Sequence, residues 1–191
     1  MTDSLEVVMD DHVILRPFSE QDLSFLERLS SDPSVTGRYV WAGFRDPRAR
    51  RRRWEKDGYV SADSSALAVV GDDPERGPNT VLGIASWDAK DRGGPPGGCY
   101  EIGLALLPEY RGRGLGTAAQ RELVRHLLDC TLAFRLEAQT DADNIAEQRA
   151  LERIGFRREG VLRGARFREG EWRDMLMYGL LRSDLRAGDV D

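Results

Sequence analysis

The stretch that decides the reading of this chain is EIGLALLPEYRGRGLGT, Glu101 to Thr117. Apolar residues run from Ile102 to Leu107, Pro108 interrupts them, and Gly112, Gly114 and Gly116 follow at alternate positions. A buried strand therefore enters a tight turn. Leu115, Ala119, Leu123 and Leu127 then recur at helical spacing. Glycine lets successive backbone N–H groups crowd together, and the first turn of a helix adds donors that have no partner inside the helix. Strand, turn and helix start together form an anion cradle, best matched by a phosphate or pyrophosphate held on the amides of Arg111, Gly112, Arg113, Gly114, Leu115, Gly116 and Thr117. Arg111 and Arg113 add positive charge suited to phosphate oxygens. The spacing is not the G-x-G-x-x-G of dinucleotide sites, and no Gly-Lys-Ser/Thr of a Walker loop is present. A turn that uses glycine only to reverse sharply is the plain alternative.

Beyond this stretch, Leu132–Thr140 reads as a strand and Asn144–Ile154 as a helix closed by Gly155. Residues from Phe156 to Leu181 alternate and turn at Glu169-Gly170, which predicts a hairpin. Upstream, Ala66–Val70, Thr80–Trp87 and Cys99–Leu107 read as strands, the last two joined by the loop AKDRGGPPGG. His12–Phe18 reads as a strand, and Ser19 to Asp22 carry capping-box spacing ahead of Leu23, Leu26 and Leu29. Asp46-Pro47 opens an arginine-rich helix reaching about Tyr59. The order β-α-α-β-β-β-α-β-α-β-β predicts a mixed α/β sheet with helices on both faces, in a single domain over residues 1–191 whose core spans about 13–181.

Composition narrows the function. The chain has 191 residues, with 28 Lys+Arg against 33 Asp+Glu for a net charge of −5. A pI near 5.2 argues against a nucleic-acid binder. No apolar run is long enough to span a bilayer, so no membrane partner is expected. The acidic start, without a basic and then an apolar region, gives no expectation of a secretory leader. Two cysteines, Cys99 and Cys130, make neither a disulfide framework nor a four-ligand zinc site, and with His12 and His126 as the only imidazoles no metal is expected. The expected location is the cytoplasm. All but two of the basic residues are arginines, the exceptions being Lys56 and Lys90.

Three segments carry a family resemblance. Arg111-x-x-Gly114-x-Gly116 resembles the R/Q-x-x-G-x-G/A signature of the GNAT acyltransferase superfamily. Asn144 to Phe156 resembles its N-x-x-S-x-x-x-L-x-x-x-G-F segment, and Glu101-Ile102-Gly103-Leu104 resembles the E-I-G-Y/W segment of the branch containing ribosomal-protein-alanine and polyamine N-acetyltransferases. The resemblance runs from about Val13 to Leu181 and is strongest between Glu101 and Phe156; nothing between Asp32 and Ser65 takes part. It implies the acyl-CoA N-acyltransferase fold, a mostly antiparallel sheet of about seven strands. It also implies acetyl-CoA (CoA) as donor and a primary amine, small-molecule or peptide N-terminus, as acceptor. A homodimer is left open.

The same resemblance places the pantetheine arm along Leu104 and Leu106 of splayed strands, with an N–H there stabilising the thioester oxygen. Asn144 would fix the pantetheine or its loop, or cap its own helix. Glu101 is a candidate base, or else a strand-end carboxylate that faces solvent or pairs with an arginine. The family's serine and tyrosine are here Glu147 and Leu151, so the usual donors of a proton to the thiolate are absent. Glu147 takes a catalytic role if burial raises its pKa, and otherwise is a solvated residue near a helix start. A non-catalytic acyl-CoA sensor is therefore a second class of function. Arg48 and Arg50 to Arg53 either bind an anionic acceptor, such as a nucleotide-linked amino sugar, or form a solvated face. We expect the face to be solvated and the acceptor to be cationic. It would be reached through Pro33–Tyr59, where Trp41, Phe44, Trp54 and Tyr59 line a pocket or pack the early helices. An acyl-cysteine at Cys99 is the less favoured route beside direct transfer in a ternary complex.

Overall fold

A computed structural model of the chain describes residues 13–40 and 43–185; His12 and Trp41 lie outside the described residues. The elements run β1 (Ile14–Arg16), α1 (Leu23–Ser31), α2 (Pro33–Thr36), α3 (Arg48–Asp57), β2 (Ser64–Asp73), β3 (Gly77–Ala89) and β4 (Cys99–Leu106). They continue with α4 (Leu115–Cys130), β5 (Arg135–Asp141), α5 (Ile145–Arg153), β6 (Arg157–Arg168) and β7 (Glu171–Leu181). The sheet order is β1-β2-β3-β4-β5-β7-β6. Every neighbouring pair is antiparallel except β4 with β5. This is the mixed, mostly antiparallel seven-stranded sheet that the sequence and its resemblance imply.

Local chemistry explains where the elements begin and end. Asp46 Oδ1 accepts the Arg48 amide at 2.9 Å and so opens α3, and the left-handed Gly58 closes it. α2 has no counterpart in the sequence reading because four residues show no period; Asp32 Oδ1 caps it by accepting from the Ser34 amide at 3.0 Å. β2 and β3 extend past their apolar runs as a hairpin whose polar tip joins Asp73 to Gly77. The apolar face of α4 is buried as its spacing predicts, with Leu123, Leu127 and Ala119 fully enclosed. Each leucine so buried contributes roughly 1.5–3 kcal/mol.

Two features fix the part of the sheet that matters for function. β4 pairs with β5 only from Cys99 opposite Arg135 to Ile102 opposite Ala138. Beyond that, β4 stays with β3 as far as Leu106 and β5 stays with β7 as far as Asp141, so the two strands part. At the base of the pair the buried Glu137 accepts from Arg92 (2.7 and 3.1 Å) and from Arg135 (2.7 Å), and Arg135 reaches on to Glu159 of β6 at 2.8 Å. Burial works against ionising Glu137, but the two guanidinium groups outweigh it and hold the carboxyl below its ordinary range. On the other side of β4, a Cβ on Gly83 would lie 2.3 Å from the Ala105 carbonyl oxygen and 2.9 Å from the Leu106 Cα. Gly83→Ala should therefore lower the urea midpoint by an amount equivalent to about 1–3 kcal/mol, the usual cost of overpacking. An unchanged midpoint would show that β4 is free to shift.

Candidate active site

The parting of β4 and β5 exposes backbone. The Leu107 amide donates to Leu82 O at 2.8 Å and Cys99 O accepts from the Lys90 amide at 3.0 Å, so odd-numbered residues of β4 address β3. By the two-residue period, the N–H and C=O groups of Leu104 and Leu106 face the gap, where no strand pairs with them. The Leu106 carbonyl is met by Arg111 Nε at 2.9 Å, and Arg111 Nη2 donates to Val35 O at 3.0 Å. Arg111, expected to add charge for a phosphate, is thus also a brace between the end of β4 and α2.

Beside the gap lies the glycine turn. Gly112 and Gly114 have φ of 71° and 84°, and Gly114 sits immediately before α4. A side chain at Gly114 would be strained in this conformation. Two amides of the expected cradle are engaged within the chain: Arg111 N donates to Pro108 O at 3.2 Å, and Thr117 N donates to Gly114 O at 2.9 Å as the first bond of α4. A groove of about 630 Å³ runs along Leu104–Leu106 and this turn. Gly112, Gly114, Gly116 and Thr117 line it; Arg113 and Leu115 do not, Leu115 being turned into the core. The Leu104 and Leu106 side chains rest over Gly116.

A second cavity of about 670 Å³ adjoins the groove. Thr36, Tyr39, Leu104, Ala105, Asn144 and Glu147 line both, so the two meet there. Asn144 caps α5, its Oδ1 accepting from the Glu147 amide at 3.4 Å. The Glu147 side chain is partly buried: it turns toward α4, where the buried Gln120 Nε2 donates to its Oε1. Burial pushes the Glu147 carboxyl above its ordinary range, against the opposite effect of the Gln120 bond. Glu101 lies in the second cavity, its Oε2 accepting from Lys90 Nζ at 2.9 Å and Gln139 Nε2 at 3.2 Å. The partner is a lysine rather than one of the arginines expected. Cys99 is buried at the far end of β4 and lines neither cavity, and burial raises its thiol pKa.

The N-terminal segment walls the second cavity through Thr36, Tyr39, Arg45, Arg50, Arg53 and Tyr59. This corrects the expectation of a wholly solvated arginine face. Arg51 and Arg52 do pair outward with Glu27 and Asp46 at 3.2 and 2.9 Å. Arg50 and Arg53, about one turn from each other on α3, face the cavity, with Arg53 over the Tyr59 ring at 4.7 Å and bonded to Ser64 O at 2.7 Å. Trp54 packs the early helices, its Nε1 donating to Phe18 O at 3.0 Å, and Phe44 is largely exposed. The sequence reading missed Thr36, Tyr39, Gln120, Asp141 and Arg168, which also belong to this region. Arg168 immediately precedes the predicted turn, but nothing distinguished it in so arginine-rich a chain.

Comparison with known proteins places the chain in a family. The family description "Acetyltransferase (GNAT) domain" matches residues 12–157. An uncharacterized N-acetyltransferase of Bacillus licheniformis, p20, is 23% identical over 182 residues, covering 94% of this chain and 98% of that protein. The [ribosomal protein uS5]-alanine N-acetyltransferase of Escherichia coli is 26% identical over 108 residues, 56% of this chain and 55% of that one. The structure of a spermidine N-acetyltransferase from Vibrio cholerae, in complex with CoA and spermine, superposes with a TM-score of 0.75 at 17% identity, covering 90% of this chain and 96% of that one, a likeness of fold. With a strand pair parted beside a glycine turn and a family match over most of its length, the chain belongs to the GNAT acetyltransferase family.

Proposed function

We propose that this protein is an acetyl-CoA-dependent N-acetyltransferase that acts on a primary amine by direct transfer in a ternary complex. The observation that carries the reading is the parting of β4 from β5 beside the glycine turn. A pantetheine arm is a pseudo-peptide, and the outward N–H groups of Leu104 and Leu106 offer it the edge of a strand. The turn from Gly112 to Gly116 offers amides to a pyrophosphate, with Arg111 and Arg113 supplying charge and Asn144 and Thr117 closing the groove. The residues present therefore fit the cofactor. When bound, it supplies an acetyl group activated as a thioester.

The chain's own groups handle the protons. Glu101, at the floor of the second cavity, takes the proton of the incoming ammonium directly or through water. Burial pushes Glu147 toward its protonated form, Oε2 is left to carry the proton because Oε1 accepts from Gln120, and the side chain stands where the two cavities meet. It takes the part that serine or tyrosine plays elsewhere in the family, releasing that proton to the departing sulfur. The position of Cys99 outside both cavities supports direct transfer over an acyl-cysteine.

Acetyl-CoA at a hundredfold excess over its Kd should stabilise the wild-type protein by about 3 kcal/mol in a thermal-shift titration, and NAD should not. Gly114→Val should abolish that stabilisation; a clear response to NAD and none to acetyl-CoA would overturn the cofactor reading. The second expectation concerns pH. An acid whose pKa is raised is fully protonated below that pKa and loses its proton as pH climbs through it, so kcat should fall on the alkaline side. In Glu147→Gln, kcat should drop about a hundredfold and the alkaline limb should disappear, with acetyl-CoA affinity retained. Persistence of that limb in the variant would remove Glu147 from the chemistry.

A further inference from the structure

Three polar groups in the second cavity are not explained by the transfer chemistry. Arg168, at the end of β6, has a side chain only 4% exposed and lines the cavity. Its Nη1 lies 2.8 Å from Asp141 Oδ2, and the face of its guanidinium covers the Tyr39 ring at 4.9 Å. The charge is balanced, yet among the described residues Nε, Nη1 and Nη2 all lack a hydrogen-bond partner, as does Asp141 Oδ2. The Asp141 contact is therefore electrostatic, as is that of Nε with Glu169 Oε2 at 4.0 Å, and neither uses the N–H fork for a hydrogen bond. Thr36, three residues before Tyr39 in the same wall, is buried with its Oγ1 also unpartnered. Buried donors without partners are costly, and a planar fork matches the two oxygens of a carboxylate or the face of a phosphate.

The surrounding charge points the same way. Among the described residues, five arginines line the cavity (Arg45, Arg50, Arg53, Arg166 and Arg168) against the carboxylates of Asp88, Glu101, Asp141 and Glu147. Of the four carboxylates, Glu101 is matched by Lys90 and Glu147 is held toward its neutral form. An excess of fixed positive charge lined with unused donors disfavours a polycation and favours an anion.

We infer that the acceptor is an amine that carries an anionic oxygen group, and that Arg168 and Thr36 bind this group while the amine faces Glu101. The inference rests on the transferase reading and adds the substrate class to it. Asp141 and Tyr39 hold the guanidinium in place, and Arg45 and Arg50 add positive charge to the same lining.

The test uses amines of matched length: γ-aminobutyrate with an anionic end, butylamine with a neutral one and putrescine with a cationic one. Phosphoethanolamine extends the panel to phosphate. Each is measured twice with the full chain, as equilibrium binding to the protein–CoA complex and as thiol release from acetyl-CoA. An anionic member should bind and react at least tenfold better than butylamine and putrescine; which one leads identifies carboxylate or phosphate as the group. Thr36→Val, a near-isosteric change, and Arg168→Lys, which keeps the charge but removes the fork, should each reduce that preference toward parity. Equal or better use of putrescine or butylamine, or a preference unmoved in a folded Thr36→Val, overturns the inference while leaving the transferase reading intact. Binding of the anionic amine to the CoA complex without thiol release would uphold the subsite and overturn the transferase reading instead.

Discussion

β4 and β5 share hydrogen bonds over four register pairs and then separate, and backbone groups left in such a gap must be met by something. Much of the surrounding structure answers that requirement. Arg111 satisfies the Leu106 carbonyl, and in doing so ties the free end of β4 to α2. The Leu104 and Leu106 side chains pack on the start of α4, keeping the strand from collapsing across the opening. At the closed end, the Arg92–Glu137–Arg135 cluster holds the short parallel pair together, so that separation begins at a fixed point. Gly83 lets β3 press against β4 where β5 no longer supports it.

The legible part of this arrangement was its backbone. Glycine spacing, the Asn144 cap and the apolar stripe of α4 are local signals, each a consequence of a dihedral or a period, and they located the turn, both helices and the strand between them. The Arg111 motif was visible, but not its dual use, because Val35 lies 76 residues away and no local pattern announces that contact. Similarly, Glu147 reads in sequence as a first-turn carboxylate of an exposed helix. Its burial depends on where α4 presents Gln120, and that is a tertiary fact.

Arginine content masked the acceptor side. In a chain where arginine is the default cation, an arginine in the list of residues carries little information by itself. What separates Arg168 from Arg51 or Arg52 is its surroundings: an aromatic face and a buried aspartate in one case, solvent and surface carboxylates in the others. The helix α3 shows the same division along its own length. One face is laced to Glu27 and Asp46, and the other contributes Arg50 and Arg53 to a cavity. A run of like charges therefore need not have one role.

Thr36 and Tyr39 stand between the groove and the neighbouring cavity, so one short stretch of chain is the common partition of two compartments. It is anchored by Arg111, itself part of the groove lining, at Val35 O and by the Tyr39 hydroxyl on Asp143 O at 3.0 Å. Any shift of a partition alters the room on either side at once. Were this wall to move, occupancy of one compartment and affinity in the other would be linked, and such linkage is reciprocal: whatever the first ligand does to the second, the second does equally to the first.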